Sequence, residues 1–255
     1  MIERYYQRMV TALRFHGERL RILPWRYPRY LAARNVGQRR LVFKVHNFAE
    51  ANRVRSLDGE KQILQMLLAE LRPSDVFLDV GACVGVYALH AARYCQQVIA
   101  LEPEPELRAH LAENVELNQA QNIMLLPYAL ADKSGKVPLY TEGSAGKSPS
   151  ILPEKEKQAI WVEGRSLDDL VQSRKIPYPD VVKIDIEGAE LIALQGMQNL
   201  LSERAVRAIF LEVHPLLLAN MGGTPDGVLQ LLKKAGFSLV YQSARDVQQH
   251  WVLRR

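Results

Sequence analysis

Cysteine is nearly absent from this chain. Two occur, Cys83 and Cys95, too few for a disulfide framework and suited to a reducing compartment. No run of about 18 apolar residues exists, so no membrane-spanning helix is expected. The N-terminus is too polar and too rich in arginine for a secretory signal. Internal repeats are lacking too. These gaps point to a cytoplasmic protein whose only membrane contact would be at a surface. What remains is an ordinary globular composition, 48% hydrophobic and 24% charged over 255 residues, enough for one sizeable core.

Lysine is missing from residues 1–40, and acids nearly so: ten arginines stand against Glu3 and Glu18. That segment carries +8, so the rest of the chain sums to −3 within a total of +5. Ile2, Tyr5, Met9 and Leu13, with Tyr6 and Val10 beside them, recur at helical spacing. Residues 1–40 are expected to be a basic helical extension, broken at Pro24-Trp25-Arg26-Tyr27-Pro28, ahead of one domain over 41–255. Such a helix packs on the domain with its arginines in solvent, or meets a membrane surface or an acidic partner.

A dinucleotide fingerprint is also lacking. The apolar run Val76-Phe77-Leu78-Asp79-Val80 leads into Gly81-Ala82-Cys83-Val84-Gly85, spaced Gly-x-x-x-Gly rather than G-x-G-x-x-G. A helical pattern follows from Val86 to Arg93, then Val98 to Leu101 and Glu102-Pro103. Strand, glycine turn, helix, strand and acid make the nucleotide-binding half of an open α/β sheet, with its ligand at the carboxyl ends of the strands. Gly81 and Gly85 leave room for a ligand against backbone. Glu102 is placed to accept hydrogen bonds from a ribose diol. Asp79 would repel a pyrophosphate and suits a cationic ligand, such as the amino or sulfonium group of S-adenosylmethionine.

Periodicity predicts further strands at 41–45, 123–127, 137–140, 159–163, 180–185 and 208–213, and a closing hairpin of 237–241 with 250–253. Asn52-Arg53-Val54-Arg55 reads as another short strand. Helices are expected over 59–71, 107–118, 191–201 and 224–235. A short helix should follow Ser166 as N-cap, with Asp169 at the capping-box position. Residues 142–157 have no apolar periodicity and read as a mobile loop, a lid or a substrate reader. Strand–helix repeats with an antiparallel end predict a seven-stranded, doubly wound sheet, its ligand-binding core over about 74–242.

The second motif is Val182-Lys183-Ile184-Asp185-Ile186-Glu187-Gly188-Ala189-Glu190. With Leu78-Asp79-Val80-Gly81-Ala82, Glu102-Pro103, Asn114, Asn118 and Leu211-Glu212-Val213-His214, it resembles the FkbM family of S-adenosylmethionine-dependent methyltransferases. Gly135, after Ala129-Leu130-Ala131-Asp132, and Ser166-Leu167-Asp168 fall in the family's order, and the resemblance runs from about Phe43 to Gly236. It implies a Rossmann-like class I methyltransferase fold, a mostly parallel α/β sheet. It also implies methyl transfer from S-adenosylmethionine to a hydroxyl of a sugar, glycan or natural product. By position, Asp79, Gly81, Ala82 and Gly85 would line the methionine end of the cofactor. Glu102, with Pro103 beside it, would hold the ribose, Ala129 and Leu130 would flank the adenine, and Asp185 would face the sulfonium. Where the family has Asn, this chain has Cys83, whose thiol cannot replace the amide's hydrogen bonds.

A hydroxyl is a poor nucleophile at neutral pH and needs a base to take its proton. His214 ranks first for its ordinary pKa, Asp185 second, with Glu212 beside them at the strand ends. Lys183 is expected to pair with an acid and to point away from Asp185's neighbours. His46 and Asn47 are placed toward the substrate side. Asp185, Glu187, Glu212 and His214 have no compact metal spacing, and no metal is expected. Two alternatives stand beside this reading. The arginine-rich start raises RNA as an acceptor, but Lys183-Ile184-Asp185-Ile186-Glu187-Gly188 lacks the proline-aromatic motif of base N-methylating enzymes, which argues against nucleic acid. A non-catalytic binder of the cofactor is the other, and the acids kept at the strand ends argue against it.

Overall fold

Strands β1 (Arg29–Ala32) and β2 (Val42–Val45) pair antiparallel. The main sheet starts with β3 (Val76–Val80), β4 (Gln97–Leu101) and β5 (Ile123–Leu126), which run parallel. A separate small sheet, ordered β6-β8-β7, is formed by β6 (Tyr128–Leu130), β7 (Gly135–Thr141) and β8 (Gln158–Arg165). The main sheet resumes with β9 (Val181–Ile184), parallel to β3, and β10 (Ala208–Val213). It closes with the antiparallel pair β11 (Ser238–Arg245) and β12 (Gln248–Arg254). This computed structural model describes residues 29–32, 41–56, 60–143, 149–153, 158–203, 206–245 and 247–255.

The main sheet has the order β11-β12-β10-β9-β3-β4-β5. This is the expected seven-stranded, mostly parallel sheet with an antiparallel C-terminal hairpin. From β3 the chain builds first toward β5 and then, starting at β9, toward the opposite edge. The crevice at that switch point, beyond the carboxyl ends of the strands, is where such sheets bind ligands.

Helices cover both faces because the central strands are apolar on both. In chain order they are α1 (Phe48–Ser56), α2 (Lys61–Glu70), α3 (Val86–Ala91) and α4 (Pro105–Leu117). Then come α5 (Leu167–Gln172), α6 (Glu190–Gln195), α7 (Gln198–Ser202), α8 (Pro215–Ala219) and α9 (Pro225–Lys234). Phe77, Ala100, Val181 and Phe210 pack with Leu64 and Leu67 of α2 and Ala88 of α3. The alternate residues Leu78, Ile99, Val182 and Ile209 pack with Leu170 of α5, Leu194 of α6 and Leu232 of α9. Each fully buried Val, Leu, Ile or Phe side chain among them contributes about 1.5–3 kcal/mol.

Two expectations change. Asn52–Arg55 lies in helix α1, not in a strand. Asn47 Oδ1 accepts the Glu50 N–H at 2.9 Å, Glu50 occupies the first turn and Arg53 and Arg55 the last, so the dipole is matched at both ends. The helix expected over 191–201 is two helices, because the Asp168 carboxylate accepts the N–H groups of Asn199 and Leu200 at 3.0 Å each and starts α7 afresh. Of residues 1–40, the described part is strand β1, which lies beyond the Ile2–Leu13 spacing and the Pro24–Pro28 break. The proposed amphipathic helix, the Pro24–Pro28 break and most of the 142–157 loop lie outside the described residues. Ser166 does cap α5, accepting the Asp169 N–H at 3.2 Å.

Two motif asparagines, Asn114 on α4 and Asn118 at its C-cap, hold strand β2. Asn114 Oδ1 accepts the Lys44 N–H at 2.8 Å, and its Nδ2 donates to Val84 O at 3.1 Å. Asn118 exchanges bonds with Val42, at 3.1 Å and 2.7 Å. Asn114 is fully buried, so Asn114→Ala leaves two polar groups without partners. It should cost about 1–3 kcal/mol in urea unfolding; a loss below a few tenths would show the clamp to be dispensable.

Candidate active site

The site begins as a ladder. In the parallel pairing of β3 and β9, Asp79 sits opposite Lys183. Asp185 lies two residues beyond Lys183 and so on the same face of the sheet. In the antiparallel pairing of β10 and β12, Glu212 sits opposite His250. All five side chains share the face that α2 and α3 cover, because Phe77, Val181, Phe210 and Val252 alternate in step with them. Lys183 therefore does not point away from Asp185's neighbours; two-residue periodicity forbids it.

Lys183 is the cation at the centre. Its Nζ lies 3.3 Å from Asp185 Oδ2, 3.6 Å from Asp79 Oδ1 and 3.3 Å from Gly81 O. It also sits 5.0 Å from the centroid of the Tyr87 ring, a favourable placement for an ammonium. Burial alone would lower its pKa, but Asp185 and Asp79 outweigh that and raise it. Burial also opposes ionisation of Asp185, and here Lys183 and His214 prevail and hold the carboxyl low.

A cleft opens over this ladder. Toward β4 and β6 it is lined by Gly81, Ala82, Cys83, Glu102, Pro103, Ala129 and Leu130; toward β9 and β10, by Lys183, Asp185, Glu187 and Glu212, with Glu60 beside them. Glu102 is fixed at the end of β4 by two backbone donors, Cys83 N–H at 2.8 Å and Glu104 N–H at 2.9 Å. Burial pushes its carboxyl up to about 7 despite those donors. Gly81 has φ +79°, and a Cβ there would stand 2.0 Å from Asp185 O, so no other residue fits the turn between β3 and β9. Cys83 follows with φ +50°, in the left-handed region where a side chain is strained. Burial raises its thiol to about 12, which leaves it an inert neutral group.

The chemistry of the donor set is divided. One half offers an acid suited to a diol and apolar walls from Ala129, Leu130 and Ile151; the other offers carboxylates around a buried ammonium. A model of the methyltransferase FkbM domain matches residues 79–239. The chain belongs to the FkbM methyltransferase family. It is 32% identical over 202 residues to the hexuronic acid methyltransferase AglP of Haloferax volcanii, covering 77% of each chain. It is 27% identical to the 2-O-methyltransferase NoeI of Sinorhizobium fredii, over 83% of this chain and 91% of that one. The crystal structure of an FkbM methyltransferase from Methylobacillus flagellatus aligns with TM-score 0.48 and 18% identity, over 75% of this chain and 46% of its own.

In this FkbM methyltransferase the cleft takes in most of the expected residues: Gly81, Ala82, Glu102, Pro103, Ala129, Leu130, Asp185 and Glu212. Three do not line it. Asp79 is fully buried beneath the turn as a partner of Lys183. Gly85 starts α3 with φ +91°, and a Cβ there would meet Leu111 Cδ1 at 2.3 Å, so it packs closely against α4. His214 is 4% exposed and lies behind the acids. Its Nδ1 is 2.7 Å from Glu190 Oε1, and its Nε2 is 3.3 Å from Glu187, 3.7 Å from Glu212 and 3.1 Å from Gln248 Nε2. Burial pulls its pKa down, but Glu190, Glu187 and Asp185 outweigh that and lift it to about 9. His46 and Asn47 also lie elsewhere: His46 bonds Glu113 at 2.6 Å and stacks on His110, while Asn47 caps α1.

Sequence reasoning missed Glu60, Tyr87, Tyr128 and Gln248 in the cleft, and His250 behind it. His250 had a signal, a polar residue at an inward position of a buried strand. Glu60 had none, because it reaches the site from the start of α2 and takes the Tyr87 hydroxyl at 2.8 Å. The strain at Cys83 gives a prediction. Asparagine tolerates the left-handed region better than cysteine, so Cys83→Asn should raise stability by part of the ~1–2 kcal/mol that this conformation costs. An unchanged urea midpoint would remove strain as the explanation.

Proposed function

We propose that the protein transfers a methyl group from S-adenosylmethionine to a hydroxyl of a sugar, glycan or natural product. The observation that carries this reading is the division of one cleft between Glu102, locked at the end of β4, and the acids Asp185 and Glu212 across the switch point. The residues present fit the cofactor. Glu102 would accept from its ribose hydroxyls, Ala129 and Leu130 would flank its adenine, and Gly81 and Ala82 would pass its methionine end along backbone. Bound there, S-adenosylmethionine supplies an electrophilic methyl on a sulfonium. The names of AglP, a hexuronic acid methyltransferase, and NoeI, a 2-O-methyltransferase, support a hydroxyl-bearing saccharide as acceptor.

The chain's own part is to hold the acceptor oxygen in line and to take its proton. Asp185 is the cleft-facing group placed for this, anchored by Lys183 at 3.3 Å. His214, first on sequence grounds, stands one layer back and orients Glu187 and Glu212. Asp185→Asn should lower turnover about a hundredfold or more, with a much smaller change in cofactor affinity measured by calorimetry. Equal losses in both would make Asp185 a binding residue only. Incubation with labelled cofactor and a panel of neutral and acidic saccharides tests the reaction itself; no transfer to any hydroxyl would refute it.

Glu102 gives a pH prediction. Its carboxyl sits at about 7 without ligand, and only the ionised form is a strong acceptor for ribose hydroxyls. Cofactor affinity should therefore hold above that pH and fall about tenfold by one unit below it. Glu102→Gln should bind more weakly and lose this pH dependence. A wild-type affinity that stays flat down to pH 6 would exclude the ribose role.

A further inference from the structure

We infer that Glu60, Glu212 and His250 hold a divalent metal ion at the acceptor end of the cleft. Only the ion's use, not its binding, rests on the methyltransferase reading. Glu212 and His250 are register partners on β10 and β12, and Glu60 stands at the N-terminus of α2. One oxygen of each glutamate and a ring nitrogen of His250 lie within 4.8 Å of one another. Glu60 and Glu212 line the cleft, so an ion can reach them from solvent. The second observation is His250 itself. It is 5% exposed, and among the described residues its Nε2 has an ion-pair contact with Glu212 but no well-aligned hydrogen bond. That contact, to Glu212 Oε2, is 3.2 Å long. Buried polar atoms normally have partners, and an imidazole nitrogen beside two carboxylates is a donor set for Mn²⁺ or Zn²⁺.

Asp185, Glu212 and His214 also converge within 4.8 Å, but there both ring nitrogens of the histidine have close polar partners. Lys183 holds Asp185 at 3.3 Å, and Glu190 and Gln248 lie 2.7 Å and 3.1 Å from the two ring nitrogens of His214. Charge argues for a cation as well. Six carboxyl groups, those of Glu60, Asp79, Asp185, Glu187, Glu190 and Glu212, gather around one lysine and two imidazoles, with Arg53 the other basic side chain lining the cleft. Three protein ligands leave coordination positions open, and two adjacent hydroxyls of a saccharide are the matching ligand class. Coordination would lower the pKa of the bound hydroxyl next to Asp185. The wide separation of these three residues in the chain is why no metal spacing is visible in the sequence.

The test uses the full chain, stripped with a chelator and titrated with Mn²⁺ while free Mn²⁺ is followed by electron paramagnetic resonance. S-adenosylmethionine binding is measured by calorimetry on the same samples. Wild type should bind one Mn²⁺ per chain. His250→Ala should weaken that binding about tenfold or more and keep its cofactor affinity. Should His250→Ala fail to fold, Glu60→Gln at the cleft wall gives the same reading. The inference is overturned if wild type takes up no Mn²⁺ at millimolar concentration. It is also overturned if a folded variant binds the ion as tightly as wild type. Mn²⁺ uptake by a wild-type protein that binds no S-adenosylmethionine would keep the metal site and remove the methyltransferase reading instead.

Discussion

An ammonium buried in a sheet is tolerable only if its counter-charges are built into the same fold, because an unpaired buried charge costs several kcal/mol. Lys183 meets that condition through Asp79, its register partner on β3, and Asp185, two residues on along its own strand direction. The carbonyl of Gly81 and the face of Tyr87 complete the cage. The pairing thereby joins β3, β9 and α3 at one point. Gly81 can turn over it only without a side chain, since Asp185 O occupies the space. The floor of the cleft is thus built around one lysine.

The outer parts of the site are positioned by different means. Glu102 is held by backbone N–H groups from the glycine turn and from the start of α4, so the acid and the turn fix each other. Ala129 and Leu130 arrive on β6, which belongs to the small sheet rather than the main one. Ser150 bridges Tyr140 and donates to Glu187 O at 2.9 Å, tying the described end of the 142–157 segment to the acid-rich side. Each wall of the cleft is therefore anchored to a separate element, and only the sheet brings them together.

The fold was largely legible in the sequence because its signals are local. Apolar runs of five or six residues, a glycine turn and a serine cap mark the strands and helices, and Ser166 caps as its sequence context suggests. The misreadings have physical causes. Asn52–Arg55 alternates like a strand, yet its caps and dipole matching make it helical. The break between α6 and α7 comes from Asp168, some thirty residues earlier in the chain. The site was half legible. Residues at strand ends can be read from a motif, but depth cannot, so Asp79 and His214 were placed in a cleft that they support from behind.

By itself the sequence determined the strand–helix order, the acids at the strand ends and the family to which they belong, since all are carried by residue type and short spacing. The tertiary structure decided which of those acids face the cleft and which pair with Lys183. It also decided that Glu60 and His250, separated by most of the chain, meet at Glu212. Side-chain direction on a strand follows from two-residue alternation, but the identity of the neighbour across the ladder follows from register, and register is fixed only when the whole sheet packs.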